Sequence, residues 1–304
     1  MAPGTIAAKN DPIRGILLIM SAIALFVVMD ASAKYLSHYL PVMQIVWARN
    51  TFAFLFMALM LRRHRPIAML RSASPKLQAV RSVLLFLSTY FFFAAIHYIP
   101  LADASSISFV TPLMVTALSV PILGEKVGIR RWAAIAVGFM GALIIIRPGP
   151  GLLQSAAILP LGSAFCFAFY QLATRVLATR DHAYTTTLWS PVVGAMLTSA
   201  MMPFLWHHPT LPQWGLLLLI GAIGGFSHFV LIKAYEYAAP SVLAPFAYTN
   251  LIWSVSIGFL VFGDLPDRYT ALGASIIVAS GLYTLYRERV RKRESQVPTT
   301  PAAS

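Results

Sequence analysis

Charge and sulfur are scarce in this chain. Only 11% of its 304 residues are charged, where soluble domains carry about a quarter, and one residue is cysteine. Lone Cys166 excludes a disulfide framework and a thiolate metal site, which leaves it a packing role. No stretch is hydrophilic enough, over enough length, to make a separate soluble domain. A GxxxxGK[ST] loop for ATP phosphates, an HExxH metal pattern, a nucleophile elbow and paired acids are all missing, and His207-His208 has no third ligand near it in the sequence. A repeated charged ring or carbonyl filter, as a channel needs, is missing too. These absences argue against ATP-driven pumping, enzyme chemistry and pore conduction, and no metal or cofactor is expected.

What is present is apolar surface. Hydrophobic residues make up 58% of the chain and the mean hydropathy is +0.73, so an integral membrane protein is expected. Ten apolar runs, at 15–36, 42–61, 80–98, 102–123, 133–146, 153–176, 185–206, 214–237, 242–262 and 269–286, are read as helices that cross the hydrocarbon core. The N-terminal segment lacks the basic, apolar and small-residue order of a signal peptide, so the first run is read as a retained span. The formal charge of +13 belongs to the loops. All Lys and Arg except Lys34, Arg49, Arg147 and Arg268 fall on one side, which places both termini in the cytoplasm and makes the protein a multi-pass component of the inner (plasma) membrane. Nucleic acid is therefore not an expected partner, and the bilayer is.

A shift of about 139 residues lays the third to fifth runs over the eighth to tenth: AAIHYIPLADAS meets KAYEYAAPSVLA, and Gly124-Glu125 meets Gly263-Asp264. Five is odd, so the second half enters the membrane from the opposite side, and the halves are inverted copies of the kind found in secondary transporters. Small residues at four-residue spacing, Ala134, Gly138 and Ala142 in the fifth run and Ala271, Ser275 and Ala279 in the tenth, predict that these two helices pack together. The boundaries that follow are an N-terminal tail at 1–12, a first repeat at 13–148, a second at 149–287 and a basic tail at 288–304.

The stretch YIPLADASSISFVTPLMVTALSVPILGEKVGIRRWAAIAVGFMGALIIIRPG resembles the EamA-type repeat of the drug/metabolite transporter superfamily, with its Pro112, its Gly124-Glu125 ending and the glycine-bearing helix that follows. WARNTF at 47–52 is similar to that family's second span. The second half departs from the pattern, with Leu251 for Pro112 and Asp264 for Glu125. The resemblance implies ten helices in two inverted five-helix units around a central cavity lined mainly by spans 1, 3, 4, 6, 8 and 9. It also implies transport of small metabolites, amino acids among them.

Polar groups inside spans are the first candidates for a transport path. Asp30 and Lys34 stand at i and i+4, a geometry for either a structural ion pair or a coupling site. Arg49 reads as a helix tether, and Glu125 and Asp264 as loop anchors or gates. An aromatic face runs through Tyr90, Phe93 and His97, with counterparts Tyr170 and Gln171, His228 and Tyr235, and Tyr248, Asn250 and Trp253. Such a stripe is either core or pocket; four of them on implied cavity helices point to a pocket that stacks on an aromatic or apolar ligand. With Ser105 and Ser108 these twelve residues form the expected substrate site. Pro112 and Pro245 are the expected hinges. The expectation is a monomeric secondary transporter that exports small molecules, amino acids with bulky apolar or aromatic side chains foremost. The alternatives are a drug, nucleoside or S-adenosylmethionine-type metabolite, and more remotely a membrane enzyme.

Overall fold

The computed structural model describes residues 11–60, 70–125, 127–147, 149, 151, 155–238 and 240–294. Most of the two expected tails lies outside the described residues, as do the topology-setting Lys9, Arg62, Arg63, Arg65 and Lys126. The described residues are helical with no strand: α1 Pro12–Ser37, α2 Val42–Met60, α3 Pro75–Tyr98, α4 Leu101–Ser108, α5 Thr111–Leu123, α6 Ile129–Ile146, α7 Leu159–Leu177, α8 Ala183–Leu205, α9 Leu211–Tyr237, α10 Pro240–Leu243, α11 Thr249–Ile257 and α12 Arg268–Glu294. A 3₁₀ turn at Ala244–Tyr248 leads into α11, and a wide π turn at Gly258–Phe262 leaves it.

Entry and exit signals explain the boundaries. Prolines occupy the first turn of α1, α3, α5, α7 and α9, where a missing N–H is harmless. Asp11 caps α1 by accepting the Arg14 amide at 3.1 Å. Gly124 and Gly263, at φ +68 and +73, stop the fourth and ninth spans in the left-handed conformation, and each is followed by an acid.

Nine segments among the described residues are long and apolar enough to cross a membrane, with α4–α5 counted as one and Ala244–Phe262 as another. The tenth segment, α7, is shorter than its expected 153–176 and is diluted by Tyr170, Gln171, Thr174 and Arg175.

The packing is reciprocal between the halves. The first span lies along the eighth (α1 on α9) and the third along the sixth (α3 on α7), while α2 lies against α8 and α9. Gly221 explains that last approach, since a Cβ there would stand 2.3 Å from the Phe52 Cβ. The fifth and tenth spans, α6 and α12, pack as the small-residue rows predict, but through a different row. Gly141 and Gly273 face each other, the contact continues through Ile277, and Ala271, Ser275 and Ala279 are exposed. The row that meets α6 is thus two residues on from the expected one, about 200° around a helix of 3.6 residues per turn.

Pro112 does more than bend its helix. Ser108 ends α4, Phe109 and Val110 make tight turns onto Ser106 and Ile107, and α5 restarts at Thr111. The ninth span is broken as well, around Pro245 in its 3₁₀ turn. Both are discontinuous membrane helices, which secondary transporters place at their working sites.

The apolar core, with Val27, Leu36, Phe93, Ile96, Leu101, Ile107 and Ile145, fills the half of the bundle away from the termini. The half on the termini side holds a cavity.

Candidate functional site

A cavity of about 330 Å³ opens on the face where α1 begins and α12 ends. Its walls come from α2 (Arg49, Asn50, Met57), α3 (Arg81, Leu85), α7 (Tyr170, Thr174), α8 (Thr186, Ser190) and α9 (Gly224, His228, Tyr235), with Asp181 at the mouth. Spans 3, 6 and 8 are as implied. Spans 2 and 7 take the place of 1, 4 and 9, because the broken helices close on each other: Ser105 Oγ and Ser254 Oγ are 3.0 Å apart and both buried.

Arg81 anchors the wall. It is 3% exposed and spends its donors on neutral groups: Nε to Thr174 Oγ1 at 2.6 Å, Nη1 to the Thr186 carbonyl at 2.7 Å and Ser190 Oγ at 2.9 Å, and Nη2 to the Tyr170 hydroxyl at 2.6 Å. Its guanidinium also sits 4.3 Å from the Tyr170 ring centroid, and Phe167 stacks on the same ring at 5.3 Å. Arg49 donates Nη1 to Thr89 Oγ1 at 3.2 Å, so it does tether α2 to α3, while its buried Nε has no hydrogen-bond partner among the described residues. Asp30 of α1 acts on Arg49 through its charge, with no ion pair between them among the described residues. At the mouth, Asp181 accepts from the Ser72 hydroxyl, the Ala73 amide at 2.7 Å and Gln78 Nε2 at 2.8 Å. Burial pushes the Asp181 carboxyl up, but these donors outweigh it and hold it below the usual carboxylate range.

Of the twelve expected substrate residues, Tyr170, His228 and Tyr235 line the cavity. The other nine lie elsewhere. Phe93 is 2% exposed in the apolar core and Tyr90 packs beside Phe91. His97 sits near the opposite face with Nδ1 3.1 Å from Ser37 Oγ. Ser105 is locked to Ser254, and Ser108 donates to its own helix at the Ala104 carbonyl. Gln171 and Trp253 point outward, exposed. Tyr248 packs on Phe109, and Asn250 accepts from Ser254 at 3.2 Å.

The sequence pattern groups Arg81 with the topology charges and gives Arg49 a packing or tethering role ahead of substrate contact. The missed signal was depth, since both lie inside helices where a free cation is costly.

Asp30 and Lys34 do not pair. Lys34 reaches Asp264 Oδ2 at 2.6 Å, the Ile99 carbonyl at 3.3 Å and the face of Phe262 at 4.8 Å, whereas Asp30 lies one turn deeper, within the electrostatic reach of Arg49. On the termini face, Glu125 Oε1 pairs with Arg175 Nη2 at 2.6 Å. Burial raises the Glu125 carboxyl, but hydrogen bonds from Arg175 and Ser119 bring it below the ordinary range. Side-chain exposure separates the two pairs: 8% and 31% for Lys34 and Asp264, 61% and 38% for Arg175 and Glu125.

Comparison with known proteins supplies the context. Residues 13–147 and 154–286 each match the model of the EamA-like transporter family. A pseudopaline exporter of Pseudomonas aeruginosa is 32% identical over 88% of this chain and 94% of its own. An S-adenosylmethionine uptake transporter of Rickettsia prowazekii is 26% identical over 88% and 92%, and a riboflavin transporter of Vibrio cholerae is 28% identical over 95% and 99%. A solved crystal structure superposes with a TM-score of 0.62 over 92% of this chain and 98% of that one, at 16% identity, which shows a shared fold.

Proposed function

This chain belongs to the EamA-like transporter family, and within that membership, which makes it a multi-pass membrane transporter of small metabolites, we propose that it exports amino acids by alternating access. One observation carries the reading: a cavity open on one face, with two repeat-related ion pairs standing at opposite faces. The two family matches start 141 residues apart and end 139 apart. Lys34 and Arg175 are likewise 141 apart, and Glu125 and Asp264 are 139 apart. Each pair joins the first half to the second, so Lys34–Asp264 and Arg175–Glu125 are one device used twice.

Inverted copies exchange conformations when the halves rock. In this state Lys34 is buried against a half-buried Asp264 and their pair seals the far face, while Glu125–Arg175 is exposed beside the cavity mouth. In the opposite state the environments swap. With cytoplasmic termini, as the Lys and Arg distribution predicts, the cavity loads from the cytoplasm, the side an exporter needs. Pro112 and Pro245, at the broken spans, are the points where α4 and α11 pivot against their continuations.

The cavity is at the small end of ligand sites, which span about 300–1,000 Å³, and suits a molecule of amino-acid size. Tyr170, held between Arg81 and Phe167, and His228 give the cavity an aromatic wall for an apolar or aromatic side chain to pack against. Counterflow in proteoliposomes loaded with labelled phenylalanine, tryptophan, leucine and methionine tests the cargo. Saturable exchange is expected; its absence for all four removes the amino-acid reading. The similarity to an S-adenosylmethionine transporter supports a second reading, an amino acid bearing a purine nucleoside, and the same vesicles loaded with that compound test it.

A further inference from the structure

We infer that the cavity holds a seat for a carboxylate, with Arg49 as the contacting residue and Arg81 as the fixed charge behind it. The inference rests on the cavity being the transport site. Two guanidiniums line this cavity, and the acid in its described wall, Asp181, is at the mouth with its oxygens already engaged by Ser72, Ala73 and Gln78. Arg81 is almost wholly buried, yet its acceptors are hydroxyls and a carbonyl, groups that satisfy its geometry without balancing its charge. Asp30 acts on Arg49 through its charge alone, with no ion pair between them among the described residues. A cation taken out of water calls for an anion, and neither guanidinium makes an ion pair with an acid among the described residues, which leaves both for a ligand to answer.

Geometry divides the roles. Arg81 has its Nε and both Nη nitrogens committed to the wall, so it acts through its field. Arg49 has one Nη committed to Thr89 and a buried Nε with no acceptor among the described residues. A guanidinium edge with an idle N–H is the fork that a carboxylate engages with two parallel bonds. Gly224 lies beside the Arg49 stem, and a Cβ there would be 3.9 Å from Arg49 Cγ and 3.3 Å from the Met29 sulfur, so the absent side chain keeps that stem uncrowded. The ligand class is a monocarboxylate whose apolar remainder lies toward Tyr170 and His228.

Four probes that share one ring separate the charges: L-phenylalanine, 3-phenylpropionate, phenylalanine amide and phenethylamine. The readout is the ligand-induced rise in melting temperature of the purified full chain, titrated to an affinity. The two carboxylates should bind, and the amide and amine should not. Arg49→Gln should weaken 3-phenylpropionate about 10- to 100-fold, the range for a hydrogen bond to a charged group. Arg49→Lys should recover part of the loss, since it keeps the charge and loses the fork.

Because Arg49→Gln leaves Asp30 without its cation, Asp30→Asn combined with Arg49→Gln is the folding control and should show the same loss. Amide or amine binding as tight as the acid overturns the inference. So does wild-type affinity in both Arg49→Gln proteins, or no carboxylate binding to wild type. Failure of the transport reading looks different: 3-phenylpropionate bound through Arg49 with no phenylalanine counterflow keeps the seat and removes the amino-acid cargo. Phenylalanine counterflow unchanged by Arg49→Gln does the reverse.

Discussion

Removing the Lys34 ammonium should open the far face of the bundle. Lys34→Met keeps the apolar stem and deletes a 2.6 Å bond to Asp264, a 3.3 Å bond to the Ile99 carbonyl and a cation–π contact with Phe262. A hydrogen bond between charged groups contributes about 1.5–3 kcal/mol and a cation–π contact about 0.5–2. Asp264 is about a third exposed, so solvent screens part of this; about 2 kcal/mol is a working figure, or ~30-fold in the population of the state open to the far face. Ser254, fully buried against Ser105 in the closed seam, is the reporter. In a Cys166→Ala background, Ser254→Cys should react slowly with an impermeant maleimide added from the far side, and at least ten times faster once Lys34→Met is added. Glu125→Gln should act in the opposite direction. It removes an exposed pair worth about 0.2–1 kcal/mol in this state and a buried pair in the other, so labelling should slow. Swapping the charges, Lys34→Asp with Asp264→Lys, should restore protection. Equal acceleration by Lys34→Met and Glu125→Gln would mean general loosening and would refute the gate; so would no acceleration in folded Lys34→Met protein.

Two further outcomes follow from the packing and the mouth. A Cβ at Gly273 would lie 2.5 Å from the Gly141 carbonyl oxygen, so Gly273→Ala should lose about 1–3 kcal/mol by overpacking and lower the melting temperature, while Ala279→Leu on the exposed face should leave it unchanged. Asp181 titrates below its usual value in the folded protein, so its hold on the 72–78 segment is complete above the unfolded carboxylate pKa of about 3.9 and is lost as pH falls through the lower folded value. Hydrogen exchange at the Ala73 amide, compared at each pH between wild type and Asp181→Asn, should show strong extra protection in wild type at pH 6 that is lost in acid, as pH falls through the lowered folded value; a ratio independent of pH would remove Asp181 as the anchor.

The architecture was legible because its signals are one-dimensional. Apolar run length, the 139-residue echo and the Gly-acid endings all survive as strings, and they gave ten spans, inversion and the α6–α12 pairing. The site was less legible because a membrane helix presents apolar residues both to lipid and to its neighbours, so periodicity cannot say which face is wet. Tyr170 and Gln171 show the difficulty: one residue is 100° of rotation, and it separates a cavity wall from the outside. Trp253 failed in the same way, and Ser105 failed for another reason, since its polar face meets Ser254 in a closed seam.

Charge was the better guide, had depth been weighed against it. Arg81 stands seven residues into α3 and Arg49 eight into α2, too deep to reach water by snorkelling without lining something polar. The same reasoning links gate and seat. A buried guanidinium, like a buried lysine, is stable where an opposite charge meets it; Lys34 meets Asp264 from its own chain, whereas Arg49 and Arg81 make no ion pair among the described residues. The protein therefore closes its far face with an internal ion pair and leaves the two cavity guanidiniums without one among the described residues. An anion entering the cavity supplies that partner, which favours the loaded cavity over the empty one. The affinity that selects the cargo and the charge balance of the resting state are thus one electrostatic feature, read at Arg49.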